Sequence, residues 1–138
     1  MTVAHAPRRI ALVTDAIHPY HRGGKEMRYH EIISRLSAVA EVDVYTMNWW
    51  HGGRCRRDGG VTYHAICRLI PLYTSDRRSI RQAIVFALGC FRLLGADFDV
   101  LEADHVPYFP LFVLRLVTLI KRRRFVVTWH EVWGRCYW

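Results

Sequence analysis

Residues 8–47 read RRIALVTDAIHPYHRGGKEMRYHEIISRLSAVAEVDVYTM, and the change of period within them decides the fold. Ile10–Val13 is a short apolar run bounded by charge, which suits a strand buried on both faces. From Gly24 onward Tyr29, Ile32, Ile33, Leu36 and Val39 recur at three- and four-residue steps, the pattern of an amphipathic helix. EVDVYTM then alternates Val42, Val44 and the methyl of Thr46, and reads as a second strand. A polar turn, Asp15–Gly24, joins the first strand to the helix and ends in Gly23 and Gly24. Glycines there let the backbone turn sharply and approach a ligand closely. The helix that follows offers unpaired N–H groups and the positive end of its dipole to an anion. The same pair would also serve a plain strand-to-helix turn.

The alternation continues outward from this stretch. NWWHGGRCRRDGG is expected to be a loop, and VTYHAI a third strand by its β-branched and aromatic content. Ser79 is placed to cap a helix whose apolar stripe is Ile80, Ile84, Ala87, Leu88, Phe91 and Leu94, with Gly95 ending it. FDVLEAD is a fourth strand, YFPLFVLRLVTLI a third helix with Lys121–Arg124 at its end, and FVVTW a fifth strand. The expected fold is therefore α/β, one Rossmann-like doubly wound parallel sheet of strand order 3-2-1-4-5. Ligands in such sheets bind at the carboxyl ends of the strands, where the order reverses. Asp15–Gly24, Ala103–Pro107 and His130–Gly134 all follow strands and fall on that edge.

The 138 residues suit one domain with a real core. The net charge of +8 is mostly arginine, in clusters at Arg8–Arg9, Arg54 with Arg56–Arg57, Arg77–Arg78 with Arg81, and Lys121–Arg124. Such a balance favours anionic partners without choosing among nucleotides, nucleic acid and acidic lipid. Cys55, Cys67, Cys90 and Cys136 make no CxxC pair, which argues against a zinc site or a disulfide framework. Cys67 and Cys90 read as small buried hydrophobes, and reducing cytosol as the compartment. MTVAHAPRR has no apolar core, so no signal peptide is expected. Val106–Ile120 is apolar but shorter than the ~20 residues of a membrane span, and Pro107, Pro110 and Arg115 interrupt it.

Few residues offer specific chemistry. There is no GxxxxGK[ST], no GxGxxG and no GxSxG. His130 follows VVTW directly, and a histidine at the mouth of a parallel sheet can hydrogen-bond a ligand hydroxyl or carbonyl, or merely cap a turn. His105 ends the fourth strand in the same way. His18 and His21 lie on a loop with no third ligand nearby, so no metal is expected.

TDAIHPYHRGGKEMRYHEIISRLSAVAEVDVYT resembles the opening of retaining GT-B glycosyltransferases of the family-4 type. FDVLEADHVPYFPLF is similar to that family's fourth strand and following helix, and FVVTWHEVWG to its fifth strand and strand-end histidine. The resemblance implies that Gly23 and Gly24 meet the donor diphosphate and border the acceptor pocket. It implies that His130 contacts the transferred sugar, and that Asp15 and His105 lie on the acceptor side. It implies a nucleotide-sugar as substrate, no cofactor and no metal, and retention of anomeric configuration. The acceptor would be a glycan or a lipid-linked molecule of cell-envelope glycan synthesis, handled in the cytoplasm with peripheral contact at the inner membrane face.

The family has a second, C-terminal half that supplies the nucleotide pocket, and residues 1–138 do not contain it. The expectation is an N-terminal fragment that does not transfer sugar alone. It should also be sticky at the fifth-strand edge, where Trp129, Trp133 and Trp138 gather. The alternative is a basic module for nucleic acid or an acidic membrane surface. Nucleic acid is the less expected partner, because NWWHGGRCRR alone interleaves aromatic and basic residues. A flavodoxin- or response-regulator-type domain lacks its usual acidic cluster or hydroxyl-rich phosphate loop here.

Overall fold

The computed structural model describes residues 8–130. Gly134, Trp133, Cys136 and Trp138 lie outside the described residues. The strands are β1 (Arg9–Val13), β2 (Glu41–Met47), β3 (Cys55–Asp58), β4 (Val61–Cys67), β5 (Tyr73–Thr74), β6 (Arg77–Arg78), β7 (Val100–Asp104) and β8 (Arg124–Thr128). The helices are α1 (Gly24–Leu36), α2 (Ile80–Gly89) and α3 (Phe109–Lys121), and a 3-10 turn at Cys90–Gly95 prolongs α2.

Six strands form one sheet in the order β3-β4-β2-β1-β7-β8. The strands β4, β2, β1, β7 and β8 are parallel, which is the expected 3-2-1-4-5 order. The chain is thus α/β with a Rossmann-like, mostly parallel sheet. Because side chains alternate along a strand, β1 feeds two cores. Leu12 joins Tyr29 and Ile33 of α1 with Val42, Val44 and Trp50 on one face. Ala11 and Val13 join Phe86, Leu93, Leu101, Leu114 and Val117 on the face covered by α2 and α3.

Three expectations are corrected. The segment expected as one loop contains β3, which pairs antiparallel with β4. Gly59 and Gly60, both at positive φ, make the tight turn between them. The expected stripe of α2 mostly faces outward: Ile80 is 68% and Leu88 61% exposed, and Ile84, Phe91 and Leu94 also stand out. Gln82, Ala83, Phe86, Ala87 and Gly89 face inward instead. The segment is apolar nearly all round, so periodicity could not choose its inner face. Two local contacts choose it: Gln82 hydrogen-bonds Asp15, and Gly89 lies against the backbone of Ile66. Finally, α1 stops at Leu36, and Val39 is exposed.

Ser79 caps α2 as expected, its Oγ accepting from the Gln82 N–H at 3.2 Å. Cys90 is buried, whereas Cys67 is only half-buried. No helix among the described residues is long and apolar enough to cross a membrane.

Candidate functional site

At the carboxyl ends of β1, β7 and β8 a cleft of about 650 Å3 is lined by His21, Gly23, Gly24, Lys25, His105 and His130, with Glu26, Tyr73, Arg78 and Val106 beside them. Four of the five residues marked in the sequence therefore share one cavity. Asp15 does not line it. This residue is fully buried just beneath, where it organises two of the cations that do.

Asp15 follows β1 by two residues, and its carboxylate is saturated. Lys25 Nζ lies 2.7 Å from Oδ1, while Arg78 and Gln82 donate to Oδ2 at 2.9 and 3.2 Å. Trp49 Nε1 donates to the Asp15 carbonyl at 2.9 Å. Lys25 also approaches Asp104 Oδ2 at 3.3 Å. Burial works against the Lys25 charge, but Asp15 and Asp104 outweigh it and hold the ammonium above its ordinary value. Glu26 lies farther from the same ammonium, at 3.9 Å. Burial, with Asp15 nearby, raises the Asp104 pKa, while Lys25 and the Val106 N–H oppose the rise.

The glycine pair acts differently from the sequence expectation. Gly23 has φ −150° and ψ 174°, ordinary extended backbone, and neither glycine has positive φ. A sharp turn is therefore not what either one supplies. A Cβ on Gly23 would fall on Glu26 Oε2. The missing side chain lets the buried Glu26 carboxylate fold back to the start of α1, where the helix dipole favours an anion. Glu26 pairs there with His21 Nδ1 at 3.4 Å. A Cβ on Gly24 would meet no protein atom within 4 Å, so that position is open to the cleft.

The two strand-end histidines touch. The His130 N–H points to His105 Nδ1 at 3.5 Å, and their ring centroids are 5.8 Å apart. The His105 N–H donates to the Thr128 carbonyl at 3.1 Å, which ties the end of β7 to that of β8. Burial lowers the His130 pKa, and Arg28, His105 and Lys25 lower it further. The imidazole is thus neutral at pH 7, able to donate from one nitrogen and accept at the other. Its Nε2 is buried without a hydrogen-bond partner among the described residues. His105 stacks on Trp129 with centroids 4.7 Å apart, and Tyr108 stands beside both. Trp129 and Tyr108 are exposed at this rim.

Lys25, Glu26, Arg78 and Gln82 were not read from the sequence as site residues. Lys25 and Glu26 follow the glycines directly, which was the available signal. Arg78 arrives on the β5–β6 ribbon, and nothing in the sequence foretold that pairing. His18 lies against His30, the rings tilted by 40° with centroids 4.5 Å apart. Among the described residues no group of three or more His, Cys, Asp or Glu side chains is disposed to hold a metal ion.

No protein-family model matches the chain, and no curated protein matches it either.

Proposed function

We propose that this chain is the acceptor-side domain of a retaining glycosyltransferase, which moves a sugar from a nucleotide-sugar to a glycan or lipid-linked acceptor. One observation carries the reading: Gly23–Gly24, His105 and His130 converge on a single cleft at the switch point of the sheet. In this reading the open face of Gly24 admits the donor diphosphate to the first turn of α1, beside Lys25 and Arg78. Glu26, which already pairs with His21, gives up its place at the start of α1 as the phosphates arrive. Neutral His130 hydrogen-bonds a hydroxyl of the transferred sugar. Tyr108 and Trp129 offer flat apolar rings to an acceptor glycan. Donors fixed in advance by Asp15 stabilise the departing diphosphate without reorganising, which is the main catalytic contribution expected of the domain.

The test uses the enzyme completed by its nucleotide-binding half. Gly24→Val adds side-chain atoms only to the cleft, so the fold should survive while turnover falls roughly ten- to a hundred-fold, the worth of one charge-assisted hydrogen bond. His130→Ala should lower turnover while a free nucleoside diphosphate, which lacks the sugar, binds as before. Wild-type turnover by both variants would remove the reading.

A second feature favours peripheral membrane contact. Ile80, Ile84, Leu88 and Phe91 of the α2 segment, and Phe112, Leu116, Leu119 and Ile120 of α3, are exposed. Phe112 is 74% exposed, a large apolar surface to leave in water. The segments 77–96 and 105–124 carry nine Lys or Arg and no Asp or Glu. Apolar side chains flanked only by cations suit the headgroup layer of an anionic bilayer. The isolated chain should co-sediment with phosphatidylserine-containing vesicles and not with neutral phosphatidylcholine. Phe112→Glu should weaken that binding by about tenfold; equal binding to both vesicle types would count against the membrane reading. Nucleic acid gains no comparable support, since Trp50 is buried and Trp49 is tied to Asp15.

A further inference from the structure

A second cleft, of about 460 Å3, opens on a different part of the sheet. Its lining includes Asp43, Cys55 and His64, together with Arg9, Arg54 and Arg92. Cys55 lies on β3 and His64 opposite it on β4. Cys55 Sγ is 3.3 Å from His64 Nδ1, and His64 Nε2 is 2.8 Å from Asp43 Oδ1 on β2. Tyr45 stacks flat on the imidazole, with centroids 4.7 Å apart and planes 12° from parallel, which fixes the ring.

The chemistry of this row of side chains has a direction. A carboxylate can only accept, so the Asp43 contact requires the hydrogen to sit on His64 Nε2. Nδ1 then carries the lone pair and faces the thiol. This is the arrangement that draws a proton from sulfur and activates a nucleophile. The other described cysteines are poor nucleophiles. Burial pushes the Cys67 thiol up to about 11 and the Cys90 thiol higher still. Cys55 alone among the described cysteines is exposed.

We propose that Cys55 is a reactive thiol site, set in a Cys55–His64–Asp43 relay at an arginine-lined cleft, and that it takes up anionic low-molecular-weight disulfides by thiol–disulfide exchange. Proton transfer to His64 Nδ1 leaves a thiolate on Cys55. The thiolate attacks one sulfur of the incoming disulfide, the new Cys55 S–S bond forms, and the old S–S bond breaks. The leaving thiolate takes the proton back from His64, so one thiol and one disulfide become another thiol and a mixed disulfide. Cys55 is oxidised and the departing sulfur is reduced. Arg9 is committed to Glu41 and Asp97. Arg54 and Arg92, in no ion pair among the described residues, supply the charge that selects a carboxylate-bearing disulfide.

The experiment uses the full chain with Cys136→Ser, and follows the reaction with oxidised glutathione and with cationic cystamine. Mass spectrometry of the digest should place the glutathione adduct on Cys55. The wild-type rate at about pH 6.5 should exceed that of an unstructured cysteine peptide by about tenfold. His64→Gln should bring the rate down to the peptide's. Asp43→Asn should give an intermediate rate. Besides His64 and Asp43, the ionisable groups about the thiol are Tyr45, Arg9, Arg54, Arg92 and Asp97. Arg54→Gln with Arg92→Gln should therefore slow the glutathione reaction and spare the cystamine one. A wild-type Cys55 no faster than the peptide, which needs no variant to observe, would overturn the proposal. So would a rate unchanged in a folded His64→Gln.

Discussion

Asp15→Ala should unfold at about 2 M less urea than the parent chain. The carboxylate has no exposure, and three side-chain donors close on it from α1, β6 and α2. Removing one partner of a buried ionic group strands the other charges and costs about 3–5 kcal/mol. Spread over a urea dependence of roughly 1–3 kcal/mol/M for a domain of this size, that loss gives the stated shift. The reverse substitution should be milder. Arg78 is about one-third exposed (31%), so a free Arg78 can turn to water, whereas Lys25 at 15% has less escape. The expected order of damage is therefore Asp15→Ala first, Lys25→Ala next and Arg78→Ala last, read from urea midpoints by fluorescence. If Asp15→Ala unfolds within 0.3 M or so of the parent, the donors have found other partners and the network is not what holds this end of the sheet.

Gly89→Val should be the other severe substitution. Gly89 is the last residue of α2, and a Cβ there would lie 2.8 Å from the Ile66 carbonyl oxygen and 3.2 Å from its carbon. Those atoms belong to the backbone of β4 and cannot rotate away. Helix propensity alone would reward Gly89→Ala by about 1 kcal/mol. Overpacking against a rigid neighbour costs about 1–3 kcal/mol and should win. We expect Gly89→Ala to be destabilising on balance, and Gly89→Val, with two more methyls in the same gap, to lose about 3 kcal/mol or more. Gly95→Ala is the control. A Cβ there meets nothing within 4 Å, so its thermal midpoint should stay level or rise. A stabilised Gly89→Ala would mean that α2 can lift from the sheet at no cost.

How much of this the sequence disclosed depends on what each residue had to say locally. The parallel order was legible because β1, β2, β4, β7 and β8 are short apolar runs, all but β2 and β4 separated by helical periods, and right-handed crossovers leave few ways to join them. The convergence of Gly23, Gly24, His105 and His130 followed from the same rule, since each lies on the segment that follows a strand. The inner face of α2 was not legible. Ile80 and Ala83 are both apolar, and what separates them is a hydrogen bond from Gln82 to a carboxylate 67 positions earlier. A buried glutamine inside an apolar helix was the clue, because it must find a partner. Strand β3 was hidden for another reason. CRRD carries none of the β-branched residues that mark strands, and only its register with β4 makes it one. Glu26 was missed because the glycine beside it has no polar atom to advertise the contact.

That same hairpin gives the sheet a growing end and a finished one. An unsatisfied edge invites any extended chain to add to it, and β3 discourages this on its side by being four residues long, charged at Arg56, Arg57 and Asp58, and reversed in direction. A strand brought to that side would find only a short partner whose side chains are mostly charged. At the opposite side β8 pairs with β7 alone among the described strands. Additional strands, from further along this polypeptide or from a second molecule, therefore meet less resistance beside β8, the strand that leads to His130.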